Sequence, residues 1–118
     1  MIQIYEDIIS FFAQLNSNME TYYSLAEAII IPSGADLNDY GEFGNYASMT
    51  GDITNTLLNC PYKGCGFMLH VERVTSSASN RNFAKQRIIL HHSESIEYWR
   101  VKSGGTWKRW YQVKGTLV

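Results

Sequence analysis

The sequence predicts an α+β protein: a long, coiled-coil-like N-terminal helix followed by a small antiparallel β-rich knob domain. Three observations predict it. Residues 2 to 29 contain neither Gly nor Pro and carry apolar side chains every seven residues. Pro32, Ser33 and Gly34 then break that pattern. Beyond them, four short runs alternate apolar and polar residues, as strands with one buried face do. The division is therefore a helical oligomerisation segment, 1–31, and a β-rich knob, 32–118.

The helix is read from its columns. Ile2, Ile9, Asn16, Tyr23 and Ile30 fall seven apart, as do Tyr5, Phe12, Met19 and Ala26. These are a and d positions of a heptad pattern. A third column, Ile8, Leu15, Tyr22 and Ile29, runs beside the first. The stripe is thus wider than a two-stranded seam needs, and a third strand would use the extra width. Asn16 is the polar exception, of the kind that fixes register at some cost in stability. The expected oligomer interface is Ile2, Tyr5, Ile9, Phe12, Asn16, Met19, Tyr23 and Ala26, in a homotrimer. An amphipathic helix packed on its own domain would show the same periodicity.

Pro32 ends the helix, because proline lacks the amide donor and pushes its predecessor out of the helical region. A turn-rich segment follows to Gly41. Residues 43 to 47 fit a short strand. Asp52 is expected to cap a helical turn reaching Leu58, with Thr50 and Thr54 as rival caps. Four strands come next: Phe67–Val74, Lys85–His91, Ser95–Lys102 and Thr106–Val113. Gly104-Gly105 between the last two is a two-residue hairpin signal. The order is an antiparallel meander with short connections.

Composition bounds the function. The chain has 118 residues, Lys+Arg 10 against Asp+Glu 11 and net charge −1. That balance gives no electrostatic case for nucleic acid. No apolar stretch is long enough to span a bilayer, so no membrane insertion is expected. The start, MIQIYEDIIS, has no cationic region and is not a signal peptide. Folding in a cytoplasm, with Cys60 and Cys65 as reduced thiols, is the expectation. About 80 residues after the helix make a marginal core, which neighbouring chains would help.

The motifs offer little for catalysis. Asp36, Asp39 and Glu42 cluster in a turn-rich segment, and spacing alone sets no paired-carboxylate geometry. Cys60, Cys65 and His70 do not make four zinc ligands, and His91 and His92 point to opposite faces of a strand. A Cys65–His70 nucleophilic pair has no third, orienting residue. Gly64-x-Gly66 lacks the strand–loop–helix setting of a phosphate loop. No catalytic residue, metal or cofactor is expected.

The polar motif residues read as structural. Asp36 and Asn38 suit a turn held by side-chain bonds to backbone amides. Gly41 and Gly44 suit backbone angles closed to other residues. Asn59, ahead of Cys60-Pro61, suits satisfying loop amides, and Gln86 suits bonding a neighbouring loop. Trp99 and Val101 should share one face of their strand, opposite Tyr98 and Arg100. Arg100 is expected either to contact an aromatic as a cation or to lie solvated over one. Trp107 and Trp110, three apart, should face opposite sides.

Taken in order, Ala35-Asp36-Leu37-Asn38, Gly41, Gly44, Asn59-Cys60-Pro61, Gly66 to Val71, Gln86, Tyr98-Trp99-Arg100 and Gly105 to Trp110 resemble the pyocin-knob type of phage tail-fibre domain. The resemblance covers residues 35 to about 111. It differs in the Tyr62-Lys63-Gly64-Cys65 run, where Cys65 has no expected role. The chain ends at Val118, soon after the Trp hairpin, which fits a short complete fibre protein or a fragment. The resemblance implies a non-enzymatic, trimeric tail-fibre or baseplate protein of a phage or phage-like particle, made in the host cytoplasm and carried on the virion tail. Its implied structural motif is Asp36, Leu37, Asn38, Gly44, Asn59, Pro61, Gln86, Tyr98, Arg100, Trp107 and Trp110. Its implied partners are copies of itself, other tail or baseplate proteins and bacterial surface polysaccharide. Tyr62, Arg73, Arg100 and Trp110 are the candidate glycan contacts. The other reading is an assembly or spacer module with no receptor site of its own.

Overall fold

The computed structural model describes residues 4, 6–15, 27–73, 82–93 and 95–118. Residues 6–15 are helical, and every one of them is exposed. Ile8, Ile9, Phe11, Phe12 and Leu15 are between 43% and 65% exposed there. Of the eight expected interface residues, Ile9 and Phe12 lie on this segment; Ile2, Tyr5, Asn16, Met19, Tyr23 and Ala26 lie outside the described residues.

Among the described residues, seven strands form one sheet: β1 (Ile29–Ile30), β2 (Gly44–Ser48), β3 (Phe67–Arg73), β4 (Ala84–Leu90), β5 (Ile96–Ser103), β6 (Thr106–Trp107) and β7 (Tyr111–Lys114). The order is β1-β2-β3-β4-β5-β6, and β7 also pairs with β5. All pairings are antiparallel except β1 with β2. The meander from β3 onward is thus the expected one.

Two expectations about elements are corrected. The helix does not run to residue 31. Ile29 and Ile30 pair with Tyr46 and Ala47, and Ile31 is wholly buried in the knob, its amide bonded to the Ala47 carbonyl at 2.8 Å. Three β-branched residues before a proline suit an extended edge better than a last helical turn. The expected fourth strand is also two strands. β6 pairs Trp107 with Lys102, and β7 pairs Tyr111 with Trp99. Between those pairs, Arg100 and Val101 of β5 stand opposite Lys108, Arg109 and Trp110. One extra residue is therefore inserted, a β-bulge.

The inner sheet face carries the core. Phe67, Leu69, Val71 and Ile88 are fully buried, at positions alternating with exposed or half-buried Met68, His70, Glu72 and Arg87. Each such side chain contributes about 1.5–3 kcal/mol through burial. The turns on either side of β2 pack on this face, with Leu37 and Leu57 in its core. These turns are held by short polar groups. Asp36 caps a 3-10 turn at Leu37–Asp39 by accepting from the Asn38 amide. Thr50, rather than Asp52, caps the short helix Gly51–Thr54, its hydroxyl accepting from the Ile53 amide. The helix is shorter than the span to Leu58 that was expected. Gly104 and Gly105 both have positive φ, 61° and 83°. That is the type I′ geometry whose twist suits a two-residue hairpin.

Candidate functional site

β5 presents Tyr98 and Arg100 to the inner face, where both are buried, and turns Trp99 and Val101 outward. Arg100 is only 3% exposed. Its Nε donates to Gln86 Oε1 at 2.7 Å. Gln86, from the facing position on β4, is fully buried and donates through Nε2 to the carbonyls of Leu37 at 2.7 Å and Tyr40 at 2.8 Å. One glutamine thus links the 3-10 turn to the arginine.

The guanidinium lies against two indoles. Its central carbon is 4.5 Å from the ring centroid of Trp107 and 4.5 Å from that of Trp110. Each is a cation–π contact, stronger when shielded from water. The bulge makes this possible. Strand alternation would send residues three apart to opposite faces. The inserted residue reverses the alternation once, so Trp110 returns to the face of Trp107. The expectation that the two tryptophans oppose each other is corrected for that reason.

Both indoles are anchored. Trp107 Nε1 donates to the Asn38 carbonyl at 3.0 Å, and Trp110 Nε1 donates to the Asn59 carbonyl at 2.9 Å. Asn59 has positive φ, 56°, and its Nδ2 donates to Asp36 Oδ1 at 2.8 Å. The hydrogen bonds from Asn59 and from the Asn38 amide hold the Asp36 carboxyl below its ordinary pKa. Burial lowers the Arg100 pKa to about 10, opposed by the nearby Asp36 carboxylate. The group therefore remains cationic at neutral pH.

An open cleft of about 640 Å³ lies over this assembly, lined by Arg100, Trp107, Lys108, Arg109, Trp110 and Tyr111. Asn38 and Asn59 complete its wall. The arrangement offers aromatic surface, cationic groups and no pair of carboxylates. Among the described residues, no group of three or more His, Cys, Asp or Glu is placed to hold a metal. Cys60 and Cys65 are free thiols, and each donates to a backbone carbonyl, of Tyr62 and Gly66 respectively. Burial pushes the Cys60 thiol up, away from the reactive thiolate.

Of the four candidate glycan contacts, Arg100 and Trp110 meet at this cleft. Tyr62 packs against Tyr98, with centroids 5.9 Å apart, and Arg73 pairs with Glu42 at 2.9 Å on another part of the surface. Trp107, Lys108, Arg109 and Tyr111 were not among the candidates. The sequence signal for them was the Trp-Lys-Arg-Trp-Tyr run, once the bulge is allowed for. A second aromatic group lies on the outer face. There Trp99 stacks on Tyr111, centroids 4.8 Å apart and rings inclined by 19°, with Lys85 over Trp99.

No protein-family model and no curated protein matches the chain. Solved structures do. The chain is similar to the C-terminal part of the Pseudomonas aeruginosa R1 pyocin fibre, with a TM-score of 0.60 and 22% identity over 70% of its length. It is similar to the corresponding part of the R2 pyocin fibre from the same organism, at a TM-score of 0.63 and 25% identity over 74% of its length. An N-truncated R2-type pyocin tail fibre gives the same TM-score and identity. The chain spans only 20%, 22% and 32% of those three structures. The sheet and the turns that cover it thus share the fold of one unit within these longer pyocin tail fibres.

Proposed function

We propose that the chain is a non-enzymatic tail-fibre or baseplate structural protein of a phage or tail-like particle, trimeric through its N-terminal segment, whose knob contributes to attachment on bacterial surface glycan. The observation that carries the attachment is the cleft over Arg100. Indole and phenol faces suit the C–H faces of sugars, while Lys108 and Arg109 supply donors for hydroxyls. The exposed apolar residues on 6–15 support association through that segment, since burying them requires a partner surface. Three weak sites per fibre would multiply attachment by avidity without any single tight contact. Synthesis in the host cytoplasm and residence on the particle's tail belong to this reading.

The test is binding of the purified chain to surface polysaccharides from a panel of bacteria, by glycan array. Binding to any member, abolished by Arg109→Glu in the cleft, supports attachment. Silence across the panel would leave the spacer reading, in which the knob connects other tail components.

A further inference from the structure

We propose that the cleft over Arg100 takes an acidic saccharide unit, one bearing a carboxylate or a phosphate, in preference to a neutral sugar. The inference rests on the attachment reading and names its ligand class. Two independent observations carry it.

The first is an unpaired donor. Arg100 is nine-tenths buried, and its Nη2 is a buried nitrogen with no hydrogen-bond partner. Nε is already committed to Gln86. Two indoles crowd the guanidinium, each ring centroid 4.5 Å from its central carbon. A planar guanidinium edge matches an oxyanion better than a hydroxyl, because two parallel N–H groups meet two acceptor oxygens. Gln86 cannot turn to help, since its amide holds the Leu37 and Tyr40 carbonyls. Buried charged donors without partners are uncommon in folded proteins and call for an account.

The second is the sign of the lining. Arg100, Lys108 and Arg109 all border the cleft, and no carboxylate does. The whole chain is near neutral, with net charge −1, so three cations on one cleft wall are a local concentration. The neighbouring acid, Asp36, acts on Arg100 through space but holds its Oδ1 against the Asn38 amide and Asn59 Nδ2. It lies outside the cleft wall. Lys108 and Arg109 are exposed, on the two bulge residues that precede Trp110. An anionic sugar would set its ring against an aromatic face and its oxyanion towards these three cations.

The experiment measures binding of the intact chain to three probes by titration calorimetry: oligogalacturonate, a glycerol-phosphate oligomer and a neutral dextran oligosaccharide. Arg109→Gln and the pair Lys108→Gln/Arg109→Gln are compared with Arg87→Gln, which removes the same charge from the outer face. Both cleft side chains are exposed, so folding is preserved in each variant. The expected result is binding of an acidic probe, weakened about five-fold by the single cleft variant and more by the pair. Arg87→Gln should leave it unchanged, and raised salt should weaken it. Which acidic probe binds more tightly assigns carboxylate or phosphate. If the dextran oligosaccharide binds as well as the acidic probes and the cleft variants do not matter, the inference is overturned while glycan attachment stands. If none of the three binds and no polysaccharide of the bacterial panel binds, both fail.

Discussion

At the scale of single residues, the knob is organised by a few polar side chains that each serve more than one partner. Gln86 receives Arg100 and holds two carbonyls of the covering turns. Asp36 receives the Asn38 amide and Asn59 Nδ2 on one oxygen. Asp36 was legible as structural because short polar side chains in turn-rich runs commonly satisfy backbone groups, and Gln86 as a strand residue suited to bonding a neighbouring loop. The environment of Arg100 was not legible. A lone arginine on a strand reads equally as a solvated side chain, and only the sheet brings two indoles around it. The lowered pKa of Asp36 carries a pH prediction. Its carboxyl is held below its ordinary value of 3.8 by hydrogen bonds formed in the folded state. Its contribution to stability is therefore complete above that value and is lost as pH falls through the folded pKa. Asp36→Asn should lower stability at pH 7 and flatten the acid decline below about pH 4. Denaturant unfolding across pH checks this; an unchanged acid decline would show that the Asp36 contacts contribute nothing.

At the scale of elements, the strands were legible and their interruption was not. Alternation in β3, β4 and β5 marks one buried face, and Gly104-Gly105 marks the hairpin. The turn makes a graded prediction. Gly105→Ala should destabilise by about 1–2 kcal/mol, because a side chain disfavours positive φ. Asn is favoured at the first position of a type I′ turn, so Gly104→Asn should be near neutral. Urea unfolding of the two variants distinguishes them; equal costs would contradict the type I′ geometry. The bulge left no compositional mark, since Lys108 and Arg109 fit a regular strand equally well. A one-residue slip nevertheless decides which face Trp110 joins, and hence whether Arg100 is enclosed. Ile29–Ile31 were misread for a different reason. Ile29 and Ile30 happen to fall in the heptad columns, and periodicity cannot separate a last helical turn from a short edge strand.

At the scale of the whole molecule, the described parts differ in how they satisfy their apolar surface. The knob has an enclosed core, with Ile31, Leu37, Phe67, Leu69, Val71 and Ile88 fully buried, while Phe43, Met49 and Leu58 stay exposed. Helical residues 6–15 bury none of theirs, and Phe11 and Phe12 remain 65% and 57% exposed. Under the proposed reading, copies of the segment cover that surface in a trimer. The similarity to fibre domains agrees with a unit that works within a larger assembly, although the chain spans a third or less of those structures. The stalk-and-knob account is tested most directly by solution mass, from light scattering after size exclusion, on the intact chain and on a chain beginning at Glu27. That start keeps Ile29–Ile31, which belong to the knob. The account predicts a trimer for the intact chain and a folded monomer for the shorter one. A monomeric intact chain, or a trimer that survives the truncation, would contradict it.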